Sequence, residues 1–156
     1  MYPQRHLLAS LAVASVSLFF NQQVPFFSVE LFGYNFTVFL LCFVFGVLID
    51  VDHILDFRLN NWRMSESLET RFRKGRMFVV FHGIENIIIL AGLSIAFPFL
   101  VFPLISYSLH MMMDIQNNGV SFRAYFYIIR FGKMILSHRI RTHNKLYAHG
   151  LIENLR

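Results

Sequence analysis

Nine ionisable side chains interrupt otherwise apolar segments of this chain: His6 near its start; Asp50, Asp52, His53 and Asp56 within "FGVLIDVDHILDF"; His82 and Glu85 in "HGIE"; and His110 and Asp114 in "HMMMD". Ionisable groups in apolar spans are costly, and where they occur they face a bundle interior or a wet cavity. Carboxylate oxygens with imidazole nitrogens, and no usable thiolate, suit Zn²⁺, Mn²⁺ or Fe²⁺. Eight of the nine (His6, Asp50, Asp52, His53, His82, Glu85, His110 and Asp114) are candidate ligands for one or two ions. A divalent pair with open positions lowers the pKa of bound water and clamps the oxygens of a displacement at phosphorus. A carboxylate outside the metal shell, Glu85 or Asp52, would accept the proton.

The spacing is that of helix faces. His110 and Asp114 are four apart, about 40° around a helix, and His82 and Glu85 are three apart, about 60°, so each pair projects from one side. Bundles that bind metal through carboxylate and imidazole use such pairs. Asp50 and His53 also share a face. Asp52 lies about 160° from Asp50, so both reach one centre only if the helix ends or distorts between them. Asp56 reads as a charge at a membrane boundary.

These side chains need elements that hold them at one depth. Of 156 residues, 56% are hydrophobic and 19 are phenylalanine, a composition remote from that of a soluble domain and suited to an all-α, polytopic membrane bundle. Four apolar segments (about 6–20, 35–57, 77–97 and 99–118) predict four transmembrane helices, none visibly broken by Gly or Pro, with Pro98 and Pro103 marking the last turn. The first is short, and "AVA" at 12–14 raises a signal peptide as the competing reading, against which the apolar run continues to Phe20. All 14 Lys and Arg fall at Arg5, between Arg58 and Arg76, or from Arg123 onward. Four spans put these three places on one side, the cytoplasm by the positive-inside rule, with both termini inside and the chain in the inner (cytoplasmic) membrane. All nine ionisable groups then lie toward that side. The expected organisation is a transmembrane domain over 1–121 and a basic amphipathic tail over 122–156, with Arg123, Arg130 and Lys133 on one face of an interfacial helix. The net charge of +5 thus reflects loops beside anionic lipid and not a nucleic-acid surface.

"GVLIDVDHILD", "HMMMDIQ" and the early His6 resemble the membrane-bound metal-dependent hydrolase family, which is similar in turn to the helical zinc-dependent phospholipases C. The resemblance covers about 6–118 and leaves the tail unmatched. It implies metal binding by His6, Asp50, Asp52, His53, His110 and Asp114. Two positions depart from the family pattern: Ile49 stands where the family has proline, and "FHGIENI" keeps His82 but carries Glu85 and Asn86 in place of further histidine and hydroxyl groups.

Three functions are compatible with these residues. The first is a metal-dependent hydrolase acting on a phosphoester, such as a phospholipid head group held by the basic 58–76 loop at the cytoplasmic leaflet. The second is a non-catalytic membrane protein with a structural metal or a hydrogen-bonded polar layer; the third is a small ion or metal transporter. An open coordination shell favours the first and a closed shell the second, while crowding of ionisable groups toward one side argues against the third. His138, His143 and His149 read as a solvated basic tail, and Cys42 and Met111 to Met113 as packing. Oligomeric state is not legible.

Overall fold

The computed structural model describes residues 3–20, 24, 28–60, 67–77 and 79–153. Along them run α1 (Pro3–Phe20), a hairpin of β1 (Glu30–Leu31) and β2 (Tyr34–Asn35), α2 (Thr37–Gly46), α3 (Val51–Asn60), α4 (Leu68–Arg73), α5 (Ile84–Ala96), α6 (Val101–Asn117) and α7 (Tyr127–Glu153). The protein is therefore mainly helical, as expected. Thr37–Ile54 and Pro98–Asn117 are long and apolar enough to cross a membrane, while Gln4–Phe20 and Ile84–Ala96 are shorter apolar helices.

α6 is the centre of the bundle and packs against α1, α2 and α5. Small residues make this crossing close. Ser10, Ala14 and Ser17 line the buried face of α1, and Cys42 and Gly46 that of α2. A Cβ on Gly46 would overlap the hydroxyls of Ser10 and Ser106, so only glycine lets α1 and α6 meet α2 there. Ser106 Oγ donates to the Cys42 carbonyl at 2.8 Å, which satisfies the hydroxyl without separating the helices.

The distribution of polarity is inverted relative to a protein folded in water. His6, Ser10, Asp52, His82, His110 and Asp114 are buried, while Leu8, Phe19, Ile88 and Ile95 are 67%, 87%, 66% and 86% exposed. These polar groups lie beside three buried apolar clusters, and contiguous exposed apolar faces are the kind of surface that meets lipid or a partner.

The structure decides one point about the helices that spacing left open and corrects another. The second apolar segment does not run unbroken: α2 ends at Gly46, Val47 adopts φ −129° and ψ −50°, and a 3₁₀ turn over Leu48–Asp50 leads into α3. The third helix begins at Ile84 and not near residue 77, so His82 precedes it in non-helical chain instead of lying one to two turns inside. The cause is Gly83, which is extended (φ −124°, ψ 137°) at the helix N-cap with the Tyr127 ring packed where a Cβ would stand. The Tyr107 hydroxyl lies 2.6 Å from the Phe81 carbonyl, 2.9 Å from the Gly83 carbonyl and 3.3 Å from the Gly83 N–H. Backbone released from a helix in an apolar setting needs such partners.

The chain beyond 121 departs from an independent surface helix. A 3₁₀ turn over Phe122–Tyr125 and an extended Phe126 separate Arg123 from α7, so the three basic residues do not share one helical face. Arg123 is exposed, whereas Arg130 is only 4% exposed. The first turn of α7 is fixed to the entry of α5, where Glu85 Oε1 accepts the Tyr127 N–H at 2.8 Å and the Asn86 amide hydrogen-bonds the Tyr127 hydroxyl. On the other flank the half-buried Glu69 accepts the Ser121 N–H at 2.8 Å and pairs with Arg73. Those two hydrogen bonds, the backbone one first, hold its carboxyl below the usual glutamate range.

Candidate metal centre

α1, the 3₁₀ turn, α3, the 79–83 segment and α6 each bring ligand atoms to one place. His6 and His110, 104 residues apart, approach to 3.0 Å between Nδ1 atoms, and His6 Nε2 lies 3.4 Å from Asp114 Oδ1. His82 Nε2 is 3.2 Å from Asp50 Oδ1, 3.3 Å from Asp114 Oδ2 and 3.2 Å from His110 Nε2. His110 Nε2 is in turn 3.5 Å from Asp50 Oδ1 and 3.6 Å from Asp114 Oδ2. His53 Nε2 stands 3.9 Å from Asp50 Oδ1, and its ring lies beside that of His82 with centroids 4.6 Å apart.

Backbone and carboxylate partners set which ring nitrogens face inward. A carbonyl or carboxylate oxygen only accepts, so a neutral imidazole bonded to one carries its proton on that nitrogen. His110 Nδ1 lies 2.8 Å from the Gly46 carbonyl, which leaves Nε2 as a lone pair. His82 Nδ1 lies 3.1 Å from Asp52 Oδ2 and its Nε2 lies 3.2 Å from Asp50 Oδ1, so both of its ring nitrogens face a carboxylate oxygen. The Nε2 atoms of His82 and His110 face each other at 3.2 Å. Neither Asp114 oxygen has a hydrogen-bond partner, although imidazole nitrogens stand 3.3–3.6 Å away. Imidazole nitrogens and carboxylate oxygens that converge in a buried site form a set that could hold a metal ion. Two ligands on a tetrahedral ion with bonds of about 2.0–2.1 Å are separated by roughly 3.3 Å, close to the 3.2–3.6 Å that separates His82 Nε2 and His110 Nε2 from each other, from Asp50 Oδ1 and from Asp114 Oδ2.

Two ligand groups emerge among the described residues: Asp50, His53, His82 and Asp114, and His6, His110 and Asp114. Asp114 is common to both. Asp50, at the end of the 3₁₀ turn, and Asp52, in the first turn of α3, both reach the His82 ring, on opposite nitrogens. They do so differently: Asp50 points an oxygen at the imidazoles, while Asp52 is held by His82 Nδ1 and by the Phe81 N–H at 2.6 Å, as in the carboxylate–histidine pairs that orient metal ligands. Glu85 belongs to neither group, its Oε1 being engaged by the Tyr127 backbone. Asp56 is fully buried in an ion pair with Arg71. His138 is exposed on α7, and the side chains of His143 and His149 lie outside the described residues.

Three contributors escaped the sequence reading. Tyr107 could have been found, since 107, 110 and 114 follow the i, i+3, i+7 rhythm of one helix face. The Gly46 carbonyl and the inward turn of Arg130 carry no such signal.

The fold and site together define a helical protein with apolar, span-length segments and a buried His/Asp cluster able to hold a metal ion. Compared with family models, with curated proteins and with solved structures, the chain finds no match.

Asp52→Asn is expected to weaken metal binding about 10–100-fold with little loss of stoichiometry at saturating metal, the usual effect of removing an orienting carboxylate. Calorimetric titration of the two proteins measures it, and an Asn variant that binds as tightly as the parent would remove Asp52 from the site.

Proposed function

We propose that the protein is a four-span membrane protein of the cytoplasmic membrane whose buried cluster holds one or two divalent ions and hydrolyses a phosphoester, such as a phospholipid head group, at the cytoplasmic leaflet. The observation that carries this reading is the sharing of Asp114 between a four-ligand group and a three-ligand group of two histidines and one carboxylate. Three protein ligands leave a position open, as in hydrolytic zinc sites, whereas a single four-ligand shell would be structural. The resemblance to membrane-bound metal-dependent hydrolases supports the same reaction, and the apolar exterior and one-sided Lys and Arg support the membrane topology. Zinc fits the imidazole-rich set, and Mn²⁺ or Fe²⁺ fits the carboxylates.

A bound divalent ion supplies a water that ionises near neutral pH and positive charge for the phosphoryl oxygens. His82 and His110 present Nε2 because Asp52 and Gly46 hold their Nδ1 protons. His53, with Nε2 buried and without a hydrogen-bond partner, is placed to bind an ion or to take a proton from water. Of the two carboxylates expected to take that proton, Asp52 is held by His82 through Oδ2 and Glu85 by the Tyr127 N–H through Oε1, while Asp52 Oδ1 and Glu85 Oε2 are buried without a hydrogen-bond partner.

The break between α2 and α3 beside Asp50 favours a second reading, ion transport, since transporters coordinate ions at interrupted helices. One experiment separates the two. The purified protein is assayed with p-nitrophenyl phosphate and its diester before and after chelation and after restoring Zn²⁺ or Mn²⁺, and in liposomes for flux of the same ion. Chelator-sensitive, metal-restored hydrolysis is expected, weakening as pH falls below about 6.5 because a ligating imidazole must be neutral. Metal flux without hydrolysis would replace hydrolysis by transport.

A further inference from the structure

Arg130 lies in a segment whose basic residues would ordinarily face lipid head groups, yet α7 folds it inward beside the segment that presents His82. Its Nη2 donates to the His82 carbonyl at 2.9 Å, and its guanidinium lies 4.9 Å from the centre of the Tyr127 ring. Nη1 is buried and has no hydrogen-bond partner. Among the described residues no carboxylate forms an ion pair with it, although Asp52 and Glu85 both act on it electrostatically; burial pulls its pKa below the ordinary arginine value against their opposing effect and that of Tyr127. A buried guanidinium with a carbonyl and an aromatic face for company, and two N–H groups unused, is an unusual expense. Buried arginines ordinarily meet carboxylate or phosphate, whose oxygens match the guanidinium fork.

We propose that Arg130 is the oxyanion-recognition residue of this site, its free Nη1 taking a phosphoryl oxygen of the group that binds beside His82. The proposal rests on the phosphoester reading above and adds to it the residue that selects an anionic phosphoryl group. It also gives α7 a role: the helix brings a fixed positive charge to the 79–83 segment, beside His82.

The test uses the full-length protein in detergent, with inorganic phosphate as the probe. Phosphate and Zn²⁺ affinities are measured for the parent, Arg130→Gln and Arg130→Lys, with melting followed in parallel. Gln and Lys each retain an N–H for the His82 carbonyl, so a merely structural role would be largely preserved. The expected result is a tenfold or greater loss of phosphate affinity in Arg130→Gln, a smaller loss in Arg130→Lys, and Zn²⁺ affinity within about threefold of the parent in both, the size of loss expected when a charge-assisted contact disappears. Unchanged phosphate binding in Arg130→Gln overturns the proposal, as does absence of phosphate binding by the metal-loaded parent, or a fall in Zn²⁺ affinity equal to that in phosphate affinity, which would make Arg130 a support for His82 only. Should the parent bind phosphate through Arg130 without any metal, the proposal stands and the metal-hydrolase reading fails. A further arm titrates phosphatidate in mixed micelles against phosphate: tighter, Arg130-dependent binding of phosphatidate identifies a lipid head group as the source, and equal or weaker binding identifies a soluble phosphate compound.

Discussion

Asp114→Ala is expected to abolish binding of divalent metal at both ligand groups, because it is the one carboxylate they share. Structural zinc sites in zinc-finger peptides contribute roughly 10–16 kcal/mol from four ligands, so losing one ligand costs on the order of 3 kcal/mol, a hundredfold or more in affinity. The shared position doubles the consequence, since two ions would each lose a ligand. His53→Ala, which belongs to one group only, should remove at most one ion. Elemental analysis after desalting gives stoichiometry, and melting with and without added Zn²⁺ gives stability. The parent should melt higher with metal, and Asp114→Ala should lose that increment while its metal-free melting changes much less. If Asp114→Ala kept the parent's stoichiometry and metal-dependent melting, the convergence around Asp114 would have to be a hydrogen-bonded layer without metal.

The second large effect concerns a pair outside the metal groups. Asp56 and Arg71 are 0% and 1% exposed and ion-paired between α3 and α4. Arg71→Ala removes this ion pair from a fully buried carboxylate, a change that costs about 3–5 kcal/mol. Replacing both residues together, Asp56→Leu with Arg71→Met, removes both desolvated charges at similar volume and should recover most or all of that loss. Melting of the single and double variants in one detergent measures the difference. A single variant within about 1 kcal/mol of the parent would mean that water reaches the pair. The contrast matters for the site because α3 carries Asp52 and His53: loosening its anchor should lower metal affinity in Arg71→Ala and restore it in the double variant.

Much of the centre was legible because it depends on relations local in the chain. His110 and Asp114 share a helix face by spacing alone, and an ionisable residue within an apolar segment has few places to go but inward. His6, Asp50, His53, His82, His110 and Asp114 therefore meet as their sequence context suggested. The helical character followed from the same apolar runs, which in so small a chain leave little alternative.

What the sequence could not supply were relations created by packing across the bundle. A regular helix would have turned Asp52 away from Asp50. Residue 49 carries no proline to announce a break, and the break arises where the small residues of three helices crowd at Gly46 and the Gly46 carbonyl turns to His110. Spacing placed His82 and Glu85 on one helical face, but the helix starts only after Gly83, because the Tyr127 ring and Tyr107 hydroxyl hold the preceding backbone extended. Glu85 is consequently engaged with α7 and belongs to neither ligand group. Arg130 is the clearest case. In the sequence it is one basic residue in an amphipathic tail, and nothing in the spacing of that tail shows that its helix docks on the entry of α5 and carries the charge inward. Helical periodicity fixes which residues share a face; only tertiary contacts decide where a helix begins, where it breaks and what its face meets.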